Sequence, residues 1–570
     1  DETGTSDGTE TPVVTTPTAT TTDATTPAVP NDVAGVETDV EITASTAELT
    51  SGTYYISANL EVAGALTVPE GADVTILLNN HQLTVRGSQT VTDQAYSGSR
   101  SASIINNGTL TVTGGTLALS CNDHGIWNTG TLTIEAGVKI SSNNLYLIGN
   151  LGGTVETSGE LTNTDGDGIV TYGGTVEVNG GKISAPATNM SCLTIFNRSY
   201  DNTGAGADVT ISGGELESDS YVASTNNLKS GGSDGCNLTI TGGSLISRRT
   251  TVYWPSSGTL TIGTQGSVVG PVFTSTNGSA VEHCSGTLNI YSGTLNGGTA
   301  MQNSGSDRCP TVDSLVGMWR TSSGSANAGD AVSIIARRAA GYVTAPLSVN
   351  IAGGTFTSAQ NYAVRYLDCN QASNAVQLTQ DVEVRITGGD FSGSIAVVDA
   401  EFVAEVEQKF ITGGTFSTEP SADYIASGYG AKKTAAGWEV TAKDGMEANV
   451  NVPTGSETES SATVTGSFSG NEQAGGETGE NQGTVDAGSN SVTINVQTGE
   501  NEESGEAAPN DKVSSTTVTV DKASVSSVAE KKVDVTLQTD VADLEIPSEA
   551  WKSMANAANN GDITIAVKEN

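Results

Sequence analysis

Three features of the sequence predict an all-β chain wound for most of its length into a right-handed parallel β-helix, a three-sided solenoid of about 22–35 residues per coil. A glycine-ended phrase recurs between residues 108 and 414, the residues inside it alternate apolar and polar, and the composition holds 69 glycines against 5% aromatics. Glycine-rich, aromatic-poor text suits tight corners and thin sheets better than a thick core. The length of 570 residues agrees, because a single compact core stops growing at roughly 250–300 residues and only a repeat extends in one dimension.

The phrase reads GTLTVTGG at 108–115, GTLTIEAG at 130–137, GTVEVNGG at 174–181, ADVTISGG at 207–214 and CNLTITGG at 236–243. It continues as GTLTIGTQG at 258–266, GTLNIYSG at 286–293, LSVNIAGG at 347–354, VEVRITGG at 382–389 and EQKFITGG at 407–414. Between the final glycines, counting the weaker ETSG that ends at Gly159, the spacings are 22, 22, 22, 33, 29, 23, 27, 61, 35 and 25 residues. Each phrase supplies one strand with Leu, Val or Ile facing in and Thr or Glu facing out, and the glycine pair turns a corner where a Cβ would clash. Stacked coils then pair each strand with its equivalents above and below, which builds an aliphatic column that one coil cannot form alone. Longer spacings mark loops grafted at corners. The 61-residue spacing is expected to hold one further coil at 331–343 and an insertion near 301–330. Parallel strands in one sheet connect right-handedly by strong preference, and this sets the expected hand.

Around the repeat the text changes character. Residues 1–44 are rich in Thr, Pro and Ala, bury too little apolar area to offset chain entropy, and are expected to form a disordered tether. Residues 45–445 form the β-helix, entered through the strands of GTYYISANLEVAGALTVPEGADVTILLNNHQLTV at 52–85. Residues 446–513 are an acidic Gly/Ser/Thr-rich linker with small β elements, and 514–570 a small α/β module. In that module Ser548 is the expected N-cap of the helix EAWKSMANAA, with Asn-Asn-Gly at 559–561 stopping it.

Net charge excludes several function classes. With 24 Lys and Arg against 64 Asp and Glu the chain carries −40, which repels nucleic acid and anionic membranes. No apolar run reaches the roughly 18–20 residues that membrane insertion needs, and the polar start at Asp1 reads like the mature end left by a signal peptide. The six cysteines, Cys121, Cys192, Cys236, Cys284, Cys309 and Cys369, show no C-x-x-C spacing, so neither a thiol-held metal nor any cofactor is expected. Disulfides and buried small hydrophobes both fit them, with Cys309 and Cys369 the favoured pair because both sit in expected loop insertions.

The phrases, the entry strands GTYYISANLEV and VTILLNNHQLTV, the exit phrase GGTFSTEPSADYIASGYGAKKTAAGWEV at 413–440 and the terminal VDVTLQTDVADLEIPSEAW resemble a family of large surface proteins from gut Firmicutes. In that family a repetitive β-helix is followed by an acidic linker, a small α/β module and often S-layer homology domains, and the resemblance covers most of residues 45–570. It implies a secreted protein at the bacterial cell surface, cell-wall attachment through the C-terminal region, and an adhesin-like or scaffold role; glycans or host glycoproteins are the partners expected from the aromatic and arginine stripe described next. The S-layer homology repeats themselves do not occur within these residues.

Candidate sites follow from the same frame. Parallel β-helices also carry polysaccharide lyases and glycoside hydrolases, and fold alone does not decide between those roles. NTDGDG at 163–168 resembles the Asn-Thr-Asp motif of polygalacturonases, placing Asp165 and Asp167 as an outward acid and base pair, or as a solvated corner. The family's paired Asp-Asp, Gly-His-Gly and Arg-x-Lys motifs do not follow on succeeding coils. Asp123 with His124, expected as an exposed loop pair, is a second weak acid/base candidate, and no catalytic set is expected from three histidines. Aligning the strands that precede each phrase gathers Trp127, Phe196, Asn197, Arg198, Tyr253, Trp254, His283, Arg337, Arg338, Arg365 and Tyr366 into a lengthwise stripe. Exposed aromatics and arginines on an acidic surface would stack sugars and bind carboxylates; alternatively, alternate members point into the core and the arginines pair with nearby acids. Trp319 and Arg320 lie in the insertion expected to flank that stripe.

Overall fold

A computed structural model describes residues 39–93, 98–198, 204–225, 235–300, 325, 328–336, 346–368, 382–398, 409–427 and 429–442, and beyond them most strands and both helices of 449–568. The repeat phrases form one continuous sheet of 13 strands, the first face, running from Val40–Glu41 to Val382–Ile386. Every pairing within it is parallel. The strand after each glycine corner joins a second face, such as Thr116–Leu119 against Lys139–Ser142, and the strand before the next phrase joins a third, such as His124–Asn128 against Tyr146–Leu151. Second and third faces merge where Thr355–Asp368 runs unbroken from one to the other, pairing first with Thr294–Gly297 and then with Val332–Ala336. The chain is therefore a three-sided parallel β-helix.

Alternation places the core. On the first face Leu110, Leu132, Val155, Val176, Val209, Leu238, Leu260, Leu288, Val349 and Val384 fall in register and are buried, while the intervening residues are not. Burying each such side chain is worth about 1.5–3 kcal/mol relative to leaving it in water, and only stacking brings it about. The glycine corners are sterically required: Gly181 has φ +71°, and a Cβ there would lie 2.0 Å from the carbonyl oxygen of Gly159 in the preceding coil. Inside the corner that leaves the third face, Asn106, Asn128 and Asn150 stack as a ladder, each donating through Nδ2 to the next Oδ1 at 2.7 and 2.8 Å. Asn150 Nδ2 passes the chain on to the Thr171 hydroxyl at 3.1 Å.

The two ends of the helix are built differently. At the start, residues 40–49 stack parallel on the coil that follows, with Ile42 N–H donating to Tyr55 O, Leu49 N–H to Thr67 O and Thr67 N–H to Ala47 O. At the other end the exit phrase forms the hairpin Tyr429–Thr434 and Gly437–Ala442, which lies antiparallel to Gly414–Phe416 and ends the parallel stacking.

Three expectations are corrected here. The 61-residue spacing holds no extra coil: Gly286–Ile290 pairs directly with Leu347–Ile351, and Val332–Ala336 is the third side of the same coil, with the long insertion at its second corner. The segment 446–513 is not merely a linker, because Glu459–Thr465 pairs with Ser515–Val520 and Ser491–Asn495 with Asp534–Gln538. The C-terminal module therefore draws on both segments, and Val492, Ile494 and Val496 pack with Val518, Val535, Leu537 and Trp551 in one core. Its helices are α1 (Lys522–Lys531) and α2 (Ser548–Ala557). Ser548 is not the N-cap of α2; Pro547 holds that position, and the Ser548 N–H is satisfied by Asp534 Oδ1 at 2.8 Å. No helix among the described residues is long and apolar enough to cross a membrane.

Candidate functional site

The third face holds most of the residues singled out in the sequence, and the register divides them between its two sides. One column runs through Asn128, Asn150, Thr171 and Ile195 on the inner side; further along, Trp254, His283, Ile334 and Tyr366 occupy its continuation. Trp254 and Tyr366 pack in the aliphatic core. His283 is wholly buried beside them, bonded through Nε2 to the Gly286 carbonyl at 3.1 Å and held near pKa 4 by burial. The neighbouring column, on the outer side, carries Ile105, Trp127, Gly149, Val170 and Thr194, then Ser224, Tyr253, Glu282, Ser333 and Arg365.

The expected exposed stripe is corrected on both counts. Trp254, His283 and Tyr366 face inward, and Trp127, Tyr253 and Arg365 face outward but are buried. The chain's own loops lie over that side. Asp93, in the loop before Arg100–Asn106, reaches Arg198 four coils on and binds its guanidinium at 2.6 and 2.8 Å. Beneath it Ile105, Trp127, Leu151, Val170 and Tyr172 form an outer apolar cluster, with the Phe196 ring stacked on Tyr172 at 4.9 Å. Further along, Ser325 of the long insertion donates its hydroxyl to Glu282 Oε2 at 2.6 Å, shares a 2.6 Å hydrogen bond with the Thr250 hydroxyl, and donates its N–H to the Tyr221 hydroxyl at 3.3 Å. Tyr221 stacks on Tyr253 at 5.6 Å between centroids. Asp330 closes this second cover by a 2.9 Å ion pair to Arg365, whose guanidinium also sits 4.6 Å over the Tyr362 ring. Arg337, Arg338, Trp319 and Arg320 lie outside the described residues.

The acid/base candidates separate in the same way. Asp165 is exposed, whereas Asp167 is half-buried and accepts the Ser191 N–H at 2.7 Å and the Thr194 hydroxyl at 3.3 Å. Burial outweighs those two bonds and pushes its carboxyl up to about 6. The two carboxylates thus do not face outward as a pair, because the strand starting at Asp167 turns its side chain under the neighbouring coil. His124 is buried rather than exposed: its ring lies 5.1 Å from Trp127 and 5.2 Å from Tyr146, over Gly149, where a Cβ would come within 2.4 Å of Cδ2. Burial holds it neutral, with a pKa of about 4. The Asp123 carboxylate accepts the Ser101 N–H and hydroxyl, both at 2.9 Å, with Arg100 at 3.6 Å.

Cys121, Cys192, Cys236 and Cys284 are not joined in disulfides, and Cys309 and Cys369 lie outside the described residues. Cys192 and Cys236 serve as small hydrophobes in the column, and burial raises the Cys192 thiol far above the usual range. Among the described residues no group of three His, Cys, Asp or Glu is placed to hold a metal ion.

With the third face covered, the surfaces left open among the described residues are the first and second faces and the corner between them. Outward on the first face stand two columns, Thr109, Thr131, Thr154 and Thr175 in one and Thr111, Thr133, Glu156, Glu177, Thr210, Thr239, Thr261, Asn289 and Asn350 in the other. None of these side chains is buried. They form a flat lattice of hydroxyls, amides and carboxylates repeating at about 4.8 Å, the strand spacing. The second face carries cross-coil ion pairs, Lys139 to Glu160 at 2.7 Å and Lys182 to Glu215 and Glu217 at 2.7 and 3.0 Å, which are exposed and individually weak. Comparison with known proteins returns no match: no family model fits the chain, and no curated protein and no solved structure is detectably similar to it.

Proposed function

We infer that the protein is a secreted or cell-surface scaffold of adhesin-like type from a bacterium, which presents the open faces of its β-helix to glycans or host glycoproteins. The observation that carries this reading is the contrast between faces: the chain buries its own aromatics and arginines under loops on one side and leaves a periodic, hydroxyl-rich, uncovered surface on the others. A polymer with many hydroxyls and a regular repeat is the partner that such a lattice complements. The parallel stacking stops at the hairpin Tyr429–Thr434 and Gly437–Ala442, and a helix of set length suits a rod-like scaffold. Attachment to the cell wall is assigned to the C-terminal region, leaving the helix free to project. The charge of −40 directs the partner away from nucleic acid and toward neutral polymers.

The whole chain, applied to an array of plant, bacterial and mucin glycans, is expected to bind neutral glycans and to release no reducing or unsaturated sugar from them. Absence of binding across the array, on host mucin and on bacterial wall preparations would remove the adhesin reading. Sugar release that disappears in Asp167→Asn would replace it with that of a polysaccharide lyase or glycoside hydrolase.

A further inference from the structure

We propose that the corner between the first and second faces near residues 263–270 holds a binding subsite for a neutral oligosaccharide. The proposal rests on the glycan reading above and gives it a location. At this corner a groove of about 570 Å³ runs along the stacked turns that contain Gly293, Gly354 and Gly389. That volume falls within the roughly 300–1,000 Å³ typical of small-molecule sites.

The floor is bare backbone. Gly353 cannot carry a side chain, since a Cβ would lie 2.3 Å from the Tyr291 carbonyl oxygen, and Gly354 has φ +103°. Successive turns therefore offer peptide groups at about the 4.8 Å strand spacing, with nothing to hold a ligand away from them. One wall is the loop 263–270, whose tip shows Val268 and Val269 to solvent at 98% and 76% of their surface. The loop is tied in place: Ser267 Oγ donates to the Val269 carbonyl at 2.7 Å and Ser292 Oγ to the same oxygen at 3.2 Å. Thr264 N–H in turn donates to Ser292 Oγ at 3.1 Å. Two adjacent valines held rigidly in water cost free energy, and a partner with an apolar face recovers it.

Tyr291 lines the same groove. Its register neighbours are Gly263 in the coil before and Ala352 in the coil after, so neither carries a side chain large enough to cover its ring. The polar lining comes from Thr294 and Thr355 and from Asp390, whose carboxylate also accepts the Thr415 hydroxyl.

A pyranose matches this arrangement group for group. Its apolar face fits Tyr291 and the valine tip, and its rim of hydroxyls fits the threonines, the Asp390 carboxylate and the exposed peptide groups. The coil strands are already paired above and below, so an extended peptide finds no free strand edge here. The Asp390 carboxylate and the charge of the whole chain select against uronic and sulfated sugars.

The test uses the whole chain and immobilised tetrasaccharides of neutral hexoses and N-acetylhexosamines, each beside a uronic acid counterpart. Wild type is expected to bind at least one neutral probe and to ignore the charged ones. Tyr291→Ala and Val268→Asp, both at solvent-facing positions, are each expected to weaken that binding tenfold or more, whereas Lys552→Ala at an exposed position on α2 leaves it within twofold. Undiminished binding in both groove variants overturns the subsite while leaving the glycan reading in place. Equal affinity for the charged probes overturns the assigned ligand class. No binding to any glycan removes the subsite and the adhesin reading together. If Val268→Asp instead abolishes self-association seen in sedimentation and glycan binding is unchanged, the loop is a contact between copies of the chain and the proposal falls.

Discussion

Asp167 shows how one residue in a stacked coil acquires a pH dependence that its sequence context hides. In NTDGDG it is indistinguishable from Asp165, yet the coil after it brings Ser191 and Thr194 over its carboxylate and excludes water. Burial raises its folded pKa to about 6 from an ordinary value of 3.8, so the folded state holds the proton more tightly than the unfolded chain. Stability contributed by this group is therefore greatest below the unfolded value and is lost as pH rises through the folded one. The neutral, buried His124 and His283, both near pKa 4, act in the opposite sense, losing stability as pH falls below about 6.5. The informative quantity is the difference between wild type and Asp167→Asn. The variant is expected to be more stable at pH 8 by an amount approaching about 3 kcal/mol, with the gap closing toward pH 4. Urea unfolding at pH 4, 6 and 8 measures it, and a gap that does not change with pH would mean that Asp167 titrates normally.

At the scale of the element, the strands of the first face were legible and those of the third were not, for a reason of phase. A glycine pair fixes where each first-face strand ends, and counting back by twos assigns Leu110 and Val112 inward and Thr111 outward, as found. The third face has no such anchor. Its strands enter through a bend at which two consecutive residues, Leu147 and Ile148, both face the core, so alternation counted from one end assigns the wrong side at the other. Trp254 and Tyr253 were thus placed in one stripe although adjacent residues of a strand face opposite sides. The loops that cover the outer side were visible only as extra spacing, and nothing local in the text says which face a loop will cross. Glu282 and Asp330, the buried acids of the covered side, were missed for the same reason. The asparagine ladder is a signal the sequence did carry, since Asn106, Asn128 and Asn150 recur at 22-residue steps. Removing its middle rung in Asn128→Ala leaves Asn150 Oδ1 without its donor and opens a gap in the corner. A loss of roughly 1–3 kcal/mol for each orphaned group is expected, against a negligible change for Thr133→Ala on the open face one coil position away. Equal stabilities of the two variants in thermal denaturation would mean that the ladder is bonded no better than water bonds its members.

The whole molecule divides according to where its apolar surface is buried. One core runs from Ile42 to Val440 and contains every coil of the helix, while a second, from Val492 to Ile563, belongs to the C-terminal module, and the two share no residue. In a solenoid each coil is stabilised by its neighbours, so the helix melts as a cooperative stack, whereas the module depends on packing of its own sheets against α1 and α2. Trp551 on α2 is the pivot of that packing: it is fully buried and its Nε1–H donates to the Val525 carbonyl of α1 at 3.3 Å. Trp551→Ala is expected to cost about 3–5 kcal/mol, enough to unfold or nearly unfold a module of this size. Scanning calorimetry of the full chain should then show two transitions in wild type, with only the one assigned to the module lowered or lost in the variant. A single transition that shifts as a whole would mean that the module and the coils fold as one unit, in which case a force or a ligand acting at the C-terminal region would be felt along the rod.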